Sequence, residues 1–137
     1  FRVMAMTDNM ALMTAWANDT SYRMVFSEQI KNWVRAEDLV IVISASGNSP
    51  NICEAVRTAH TLGARTIGFL GFDGGQVKTL VDVAVIVPSN NYGYIEDLHM
   101  MFSHIVTAYI RKVFTLDQEP LLSAEMAMER YDHLYHP

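Results

Sequence analysis

The sequence predicts an α/β fold built on a parallel sheet, and three observations carry that reading. Short apolar runs alternate with stretches of helical periodicity, and the breaks between them are short. One apolar run empties through a serine-rich turn into a helix start, the kind of junction at which open parallel sheets place their ligands. At 137 residues the chain suits one domain with a substantial core.

Strands are predicted near residues 2–7, 38–43, 65–70 and 82–87, each dense in Val, Ile, Leu or Met. After the first, Asp8 or Asn9 caps a short helix through Trp16. Thr20 or Ser21 then caps another through Phe26, Ile30 and Trp33 to Val34. Pro50 to Leu62 forms the next helix, with Ser49 at the N-cap, Pro50 at the first helical position and Gly63 as its stop. Asp73-Gly-Gly75 is a turn, followed by one or two helical turns ending near Leu80. A long helix runs from about Tyr94 to Phe114. Thr115 to Pro120 reads as a linker. Leu121 to Leu134 reads as a terminal helix that docks through Leu121, Leu122, Met126 and Tyr131. The expected organisation is a domain over 1–114 and a linker with a helical tail over 115–137.

Composition narrows the function. The net charge is −5 and no basic patch interrupts it, which argues against a nucleic-acid-binding surface. Cys53 is the single cysteine, so no internal disulfide is available, and its neighbours Ile52, Ala55 and Val56 make it a packing residue. No apolar run reaches the length of a membrane span and no signal peptide opens the chain, so a soluble, cytoplasmic protein is expected. Phe1 opens directly onto an apolar run, from which a missing N-terminal part is expected.

The run Val40-Ile-Val-Ile-Ser-Ala-Ser-Gly-Asn-Ser-Pro-Asn51 carries the chemistry. The first backbone N–H groups of a helix have no intrahelical acceptor and sit at the positive end of its dipole, so a phosphate placed there finds donors and a favourable field together. Ser44, Ser46 and Ser49 add hydroxyl donors, Asn48 adds an amide, and Gly47 permits a tight backbone approach. The competing reading is an ordinary strand-to-helix loop, since Ser, Gly and Asn suit any such turn. The P-loop and dinucleotide fingerprints are both absent, and no Lys or Arg follows the turn, so a small phosphorylated ligand fits better than a nucleotide.

A polar stripe interrupts the long apolar helix at Glu96, Asp97, His99 and His104. Glu96 and His104 fall about 80° apart on the helical wheel, whereas His99 lies about 60° to the other side of Glu96. A carboxylate and an imidazole on one face serve proton transfer or the binding of a metal such as zinc. His60, His133 and His136 read as surface or docking residues, and the nine methionines with Trp16 and Trp33 as core or subunit contacts.

Four segments together resemble the sugar-isomerase (SIS) domain family, and within it the phosphoheptose isomerase branch. They are the serine run, Ala64-Arg-Thr-Ile-Gly-Phe-Leu-Gly-Phe-Asp-Gly-Gly75, Asp82-Val-Ala-Val-Ile-Val-Pro88 and Ile95-Glu-Asp-Leu-His-Met-Met-Phe-Ser-His-Ile105. The resemblance covers about residues 2–114 and implies a three-layer α/β/α sandwich with a flavodoxin-like sheet. It implies that Ser44, Ser46 and Ser49, with Asn48 in the same turn, hold a sugar phosphate, and that Asp8 lies near the substrate. His104 matches the family's acid/base histidine, a zinc ligand in some members, with Glu96 as a second candidate ligand. The implied reaction converts sedoheptulose 7-phosphate to D-glycero-D-manno-heptose 7-phosphate through an enediol, in a tetramer whose sites combine neighbouring subunits. The implied setting is carbohydrate metabolism, the supply of heptose for lipopolysaccharide.

The departures are local. The family's Gly-Asn-Gly-Gly-Ser turn, and the glutamate and histidine after it, belong before Phe1; Ala45 replaces a threonine, Glu96 a glutamine, and Gly93 a frequent acidic residue. Two other readings remain open: an isomerase of a different phosphosugar, or a non-catalytic module that binds a sugar phosphate or a protein such as a replication initiator.

Overall fold

The computed structural model describes residues 2–116. Its elements are helix α1 (Met10–Asp19), a 3-10 turn at Tyr22–Met24, α2 (Ser27–Trp33), β1 (Leu39–Ser44), α3 (Pro50–Thr61), β2 (Arg65–Gly71), a 3-10 turn at Val77–Thr79, β3 (Val83–Val87) and α4 (Tyr92–Leu116). The predicted terminal helix and most of the predicted linker lie outside the described residues; Thr115 and Leu116 continue α4. The chain divides into two compact units, Phe1–His99 and Met100–Pro137.

Three parallel strands stand in the order β1-β2-β3, with Leu39 opposite Arg65 and Ile67 opposite Val83. The α/β layering is as predicted, but the strand expected near 2–7 does not form. Asp8 N–H closes a turn on Ala5 at 3.2 Å instead, and Val3 and Met4 are exposed. A parallel partner for β1 needs a crossover helix packed on the sheet, and α1 buries none of its residues. The run at 2–7 therefore finds no seat beside β1, and Leu39, Ile41 and Ile43 remain half-exposed on one sheet face.

The opposite face makes the core. Val42 of β1 and Leu70 of β2 pack with Cys53 and Val56 of α3 and with Val77. Ile30 and Val34 join Ala55, Ala59 and Ala64 in a second cluster that ties α2 to α3. Leu70, Val56 and Val77 are fully buried, each contributing roughly 1.5–3 kcal/mol relative to an exposed side chain. Cys53 is one of these packing residues, as its neighbours indicated.

Local signals set the helix ends. Asn9 rather than Asp8 caps α1, accepting from Leu12 N–H at 3.0 Å. The single helix expected after Thr20 breaks into the 3-10 turn and α2, because Thr20 closes α1 onto Trp16 O and Ser21 only opens the short turn. Gly63 ends α3 as expected: Gly63 N–H bonds His60 O and Ala64 N–H bonds Ala59 O, both at 3.0 Å, the paired closure of a Schellman motif.

At the sheet's far end from the serine turn, Asp82 accepts from Thr66 N–H at 2.8 Å, Thr66 Oγ1 at 3.0 Å and Arg65 Nη1 at 3.2 Å. His60 Nε2 stands 2.9 Å from Thr66 Oγ1 and 3.5 Å from Asp82. The Thr66 backbone N–H, then its hydroxyl and the Arg65 guanidinium, hold the Asp82 carboxyl below its ordinary value. A depressed folded-state pKa means that this stabilisation is fully present above the unfolded carboxylate value, about 3.9, and is lost as pH falls through the lower folded one. Asp82→Ala is thus expected to lower the Tm at neutral pH and to flatten the Tm loss on acidification. Thermal melts from pH 7 down to about pH 2 check it, and parallel wild-type and variant curves would contradict it.

Candidate functional site

The serine turn gathers the predicted binding residues where the sequence places them. Ser44 ends β1 and is buried, Ser46 and Ser49 are half-buried, and Asn48 is exposed. Ser44 Oγ accepts from Gly47 N–H at 3.2 Å and lies 3.5 Å from Ser49 Oγ; Ser46 Oγ accepts from Asn48 N–H at 3.2 Å. Ser49 occupies the N-cap position of α3 with extended backbone, and Pro50 follows at its start. The cap position matches the prediction, but the Ser49 hydroxyl makes no capping bond and faces Ser44 instead.

Four consecutive carbonyls of this turn are tied to protein donors. Ser44 O accepts from Gly47 N–H at 3.2 Å, Ala45 O from Gly71 N–H at 2.8 Å, Ser46 O from Asn48 Nδ2 at 3.0 Å, and Gly47 O from Val77 N–H at 2.9 Å. All peptide bonds are trans, so a carbonyl and the following N–H point in opposite directions. Drawing Ala45 O onto β2 therefore aims the Ser46 N–H away from that strand. The carbonyls of residues 44–47 are thus occupied by protein donors, and Ser46 lines the cleft described below, an arrangement that suits an anion.

A second turn, residues 71–77, locks the first. Asn48 Oδ1 accepts from Gln76 N–H at 3.1 Å, so the Asn48 amide bridges the two turns. Gly47 has φ +62°, and a Cβ there would meet Gly74 O at 2.0 Å. Only glycine allows so close a backbone contact in that conformation.

The two turns and the start of α4 border an open cleft of about 420 Å³ lined by Ser46, Asn48, Phe72, Asp73, Asn90 and Tyr92. Phe72 has φ +51°, the one positive value among the described non-glycine residues. With Gly74 N–H bonded to Gly71 O at 2.9 Å, Phe72 takes the first central position of the turn, where a positive φ normally selects glycine. A side chain in such a conformation costs about 1–3 kcal/mol. Its ring meets the Tyr92 ring edge-on, centroids 5.0 Å apart at 68°.

The sequence marks both turns but singles out neither Phe72 nor Tyr92, since an aromatic residue ahead of Asp-Gly-Gly carries no periodic signal. Arg23 was also invisible, because it arrives from 31 residues before Glu54. Arg23 and Arg57 both pair with Glu54 on α3, and the Arg23 hydrogen bond is the main cause of a Glu54 carboxyl held below its ordinary value. The two arginines border a smaller cavity of about 170 Å³ with Asn48, Pro50, Cys53 and Gln76.

The other candidates are not among the residues that line the cleft. Asp8 is exposed in the turn before α1, and Glu96 is exposed on α4. His104 is exposed on α4 in the second unit. His99, by contrast, is buried, with Nε2 3.1 Å from Leu70 O and its ring near Phe69. Among the described residues no three His, Cys, Asp or Glu side chains gather as a metal site. None of the described helices is long and apolar enough to cross a membrane.

Comparison with known proteins gives this geometry a context. The SIS domain family model matches residues 2–71, the segment that includes the serine turn. The chain is 40% identical over 106 residues to the phosphoheptose isomerase of Aliarcobacter butzleri, covering 77% of this chain and 56% of that protein. It is 43% identical over 108 residues to that of Helicobacter pylori, covering 79% and 56%. The solved phosphoheptose isomerase of Neisseria gonorrhoeae superposes with a TM-score of 0.78 at 34% identity, over 80% of this chain and 61% of that one. The chain thus spans a little over half the length of the curated relatives it matches.

Gly47→Ala tests the lock between the turns. Overpacking costs about 1–3 kcal/mol and the left-handed conformation about 1–2 kcal/mol more for a side chain. A fall in unfolding free energy of at least about 2 kcal/mol is expected from urea denaturation; an unchanged midpoint would contradict the contact.

Proposed function

The chain belongs to the SIS domain family, and from that premise we propose that it is a phosphosugar isomerase acting on sedoheptulose 7-phosphate. The observation that carries this reading is the hydroxyl-and-amide turn at the start of α3, whose carbonyls at residues 44–47 are each tied to a protein donor. A phosphate seated there is held by the hydroxyls of Ser44, Ser46 and Ser49, by backbone N–H groups and by the dipole of α3. The names of the relatives support the same substrate: all eight of those compared are phosphoheptose isomerases, one of them described as probable.

The reaction moves hydrogen between neighbouring carbons. A base takes a proton from the hydroxymethyl carbon of the ketose, leaving an enediol; the proton returns to the former carbonyl carbon. The hydroxyl proton passes to the neighbouring oxygen, so the product is the aldose with no net gain or loss. We assign His104 to the acid/base step and Asp8 to the sugar hydroxyls. Within the assembled enzyme we propose a tetramer whose sites combine subunits. Glu96 and His104 are the residues this chain would bring to a zinc ion, which as a Lewis acid polarises a carbonyl. Two ligands fall short of the three protein ligands of a catalytic zinc site, so no step is assigned to the metal.

Incubation with sedoheptulose 7-phosphate, with and without added zinc, is expected to yield the aldose. Ser46→Ala and Ser49→Ala are each expected to raise KM about 10- to 100-fold, the loss of one hydrogen bond to a charged group. His104→Ala is expected to lower kcat by about 10²- to 10⁴-fold with little change in KM. Steady-state kinetics reads both. Binding of the phosphosugar without conversion would instead mark a non-catalytic module, and conversion of another phosphosugar alone would replace the substrate.

A further inference from the structure

Resting on the reading of the serine turn as a phosphate cradle, we propose that Phe72 and Tyr92 form the wall that selects the sugar portion of the ligand. Three observations converge on this pair. Both residues line the same cleft as Ser46 and Asn48, so a ligand anchored by its phosphate at Ser46 has them beside its remaining carbons. They meet edge-on at 5.0 Å, which fixes their mutual orientation. Phe72 also holds its side chain in a backbone conformation that glycine fills without strain, at φ +51°.

That third point separates function from packing. Core aromatics pack in relaxed backbone, and a strained residue persists when its surroundings over-determine it, most often at ligand clamps and active sites. Here the constraint is plain: Gly71 N–H is bonded to Ala45 O and Phe72 N–H to Ser89 O, so the turn cannot relax without disturbing the cradle. The strain places an aromatic ring, rather than a hydrogen atom, over the cleft.

The chemistry of the lining fits a polyhydroxylated chain. The C–H bonds of a sugar form an apolar strip that lies against an aromatic face, while its hydroxyls need donors and acceptors at the edges. Asp73 and Asn90 supply these beside the two rings. Asp73 gives one oxygen to Gly75 N–H at 3.0 Å, which orients the carboxylate and leaves its second oxygen for a hydroxyl. The ligand class is therefore a phosphorylated sugar whose carbon chain runs from the cradle across Phe72 and Tyr92, and inorganic phosphate should not sense the wall.

Phe72→Gly is the decisive variant, because glycine suits the turn and keeps the fold. Tyr92→Ala, at an exposed helix start, provides an independent second change. Calorimetric titration of the protein with sedoheptulose 7-phosphate and, separately, with inorganic phosphate reads both ligands. The expected result is an affinity for the sugar phosphate about tenfold weaker or worse in each variant, with inorganic phosphate changed less than about twofold. Equal weakening of both ligands would overturn the proposal, since the rings would then act by shaping the cradle. No change in either would also overturn it while leaving the cradle intact. Failure of the unsubstituted protein to bind either ligand would remove the cradle reading and this inference with it.

Discussion

The site depends on the way one backbone turn is tied down. Residues 44–47 surrender every carbonyl to a protein donor, three of them from outside the turn's own backbone: Gly71 N–H, the Asn48 side chain and Val77 N–H. Without those ties a turn rich in serine and glycine would sample many conformations, and a phosphate would have to order it on binding. With them, the donors stand in place beforehand. Asn48 is central because its amide reaches both Ser46 O and Gln76 N–H.

The ties are themselves products of the sheet. Parallel pairing in register sets Ser44 opposite Leu70, so the residues that follow each strand, Ala45 and Gly71, arrive side by side. The core cluster of Val42, Val56, Leu70 and Val77 then holds the turn at 71–77 against α3. Packing on one face of the sheet thereby sets hydrogen bonds at its carboxyl edge, where ligands of open parallel sheets bind. On the other face His99 hydrogen-bonds Leu70 O, so the first turns of α4 are fastened to the same strand end.

The parts legible in the sequence were those written in local chemistry. Ser49-Pro50 marked the start of α3, Gly63 its end, and the valine- and isoleucine-rich runs three of the four expected strands. The run at 2–7 misled because apolar composition reports a preference for burial but not the presence of a packed crossover, and α1 offers none. The residues of the serine turn were readable because they are consecutive. Phe72, Tyr92 and Arg23 were not, because each reaches its site through folding across long stretches of chain, and no spacing rule connects them. The left-handed backbone of Phe72 was hidden for a further reason: a turn preceding Asp-Gly-Gly has glycines available, and nothing in the letters says that the aromatic residue takes the strained place.

The central claim is that the turn over residues 44–49 is a preformed phosphate site, and amide NMR during titration with sedoheptulose 7-phosphate tests it most directly. The account predicts that the largest shifts fall on the N–H groups of Ser46, Ser49 and Asn51, without the broad changes that would accompany folding of the turn. Saturable shifts centred elsewhere, with these amides unmoved, would contradict it.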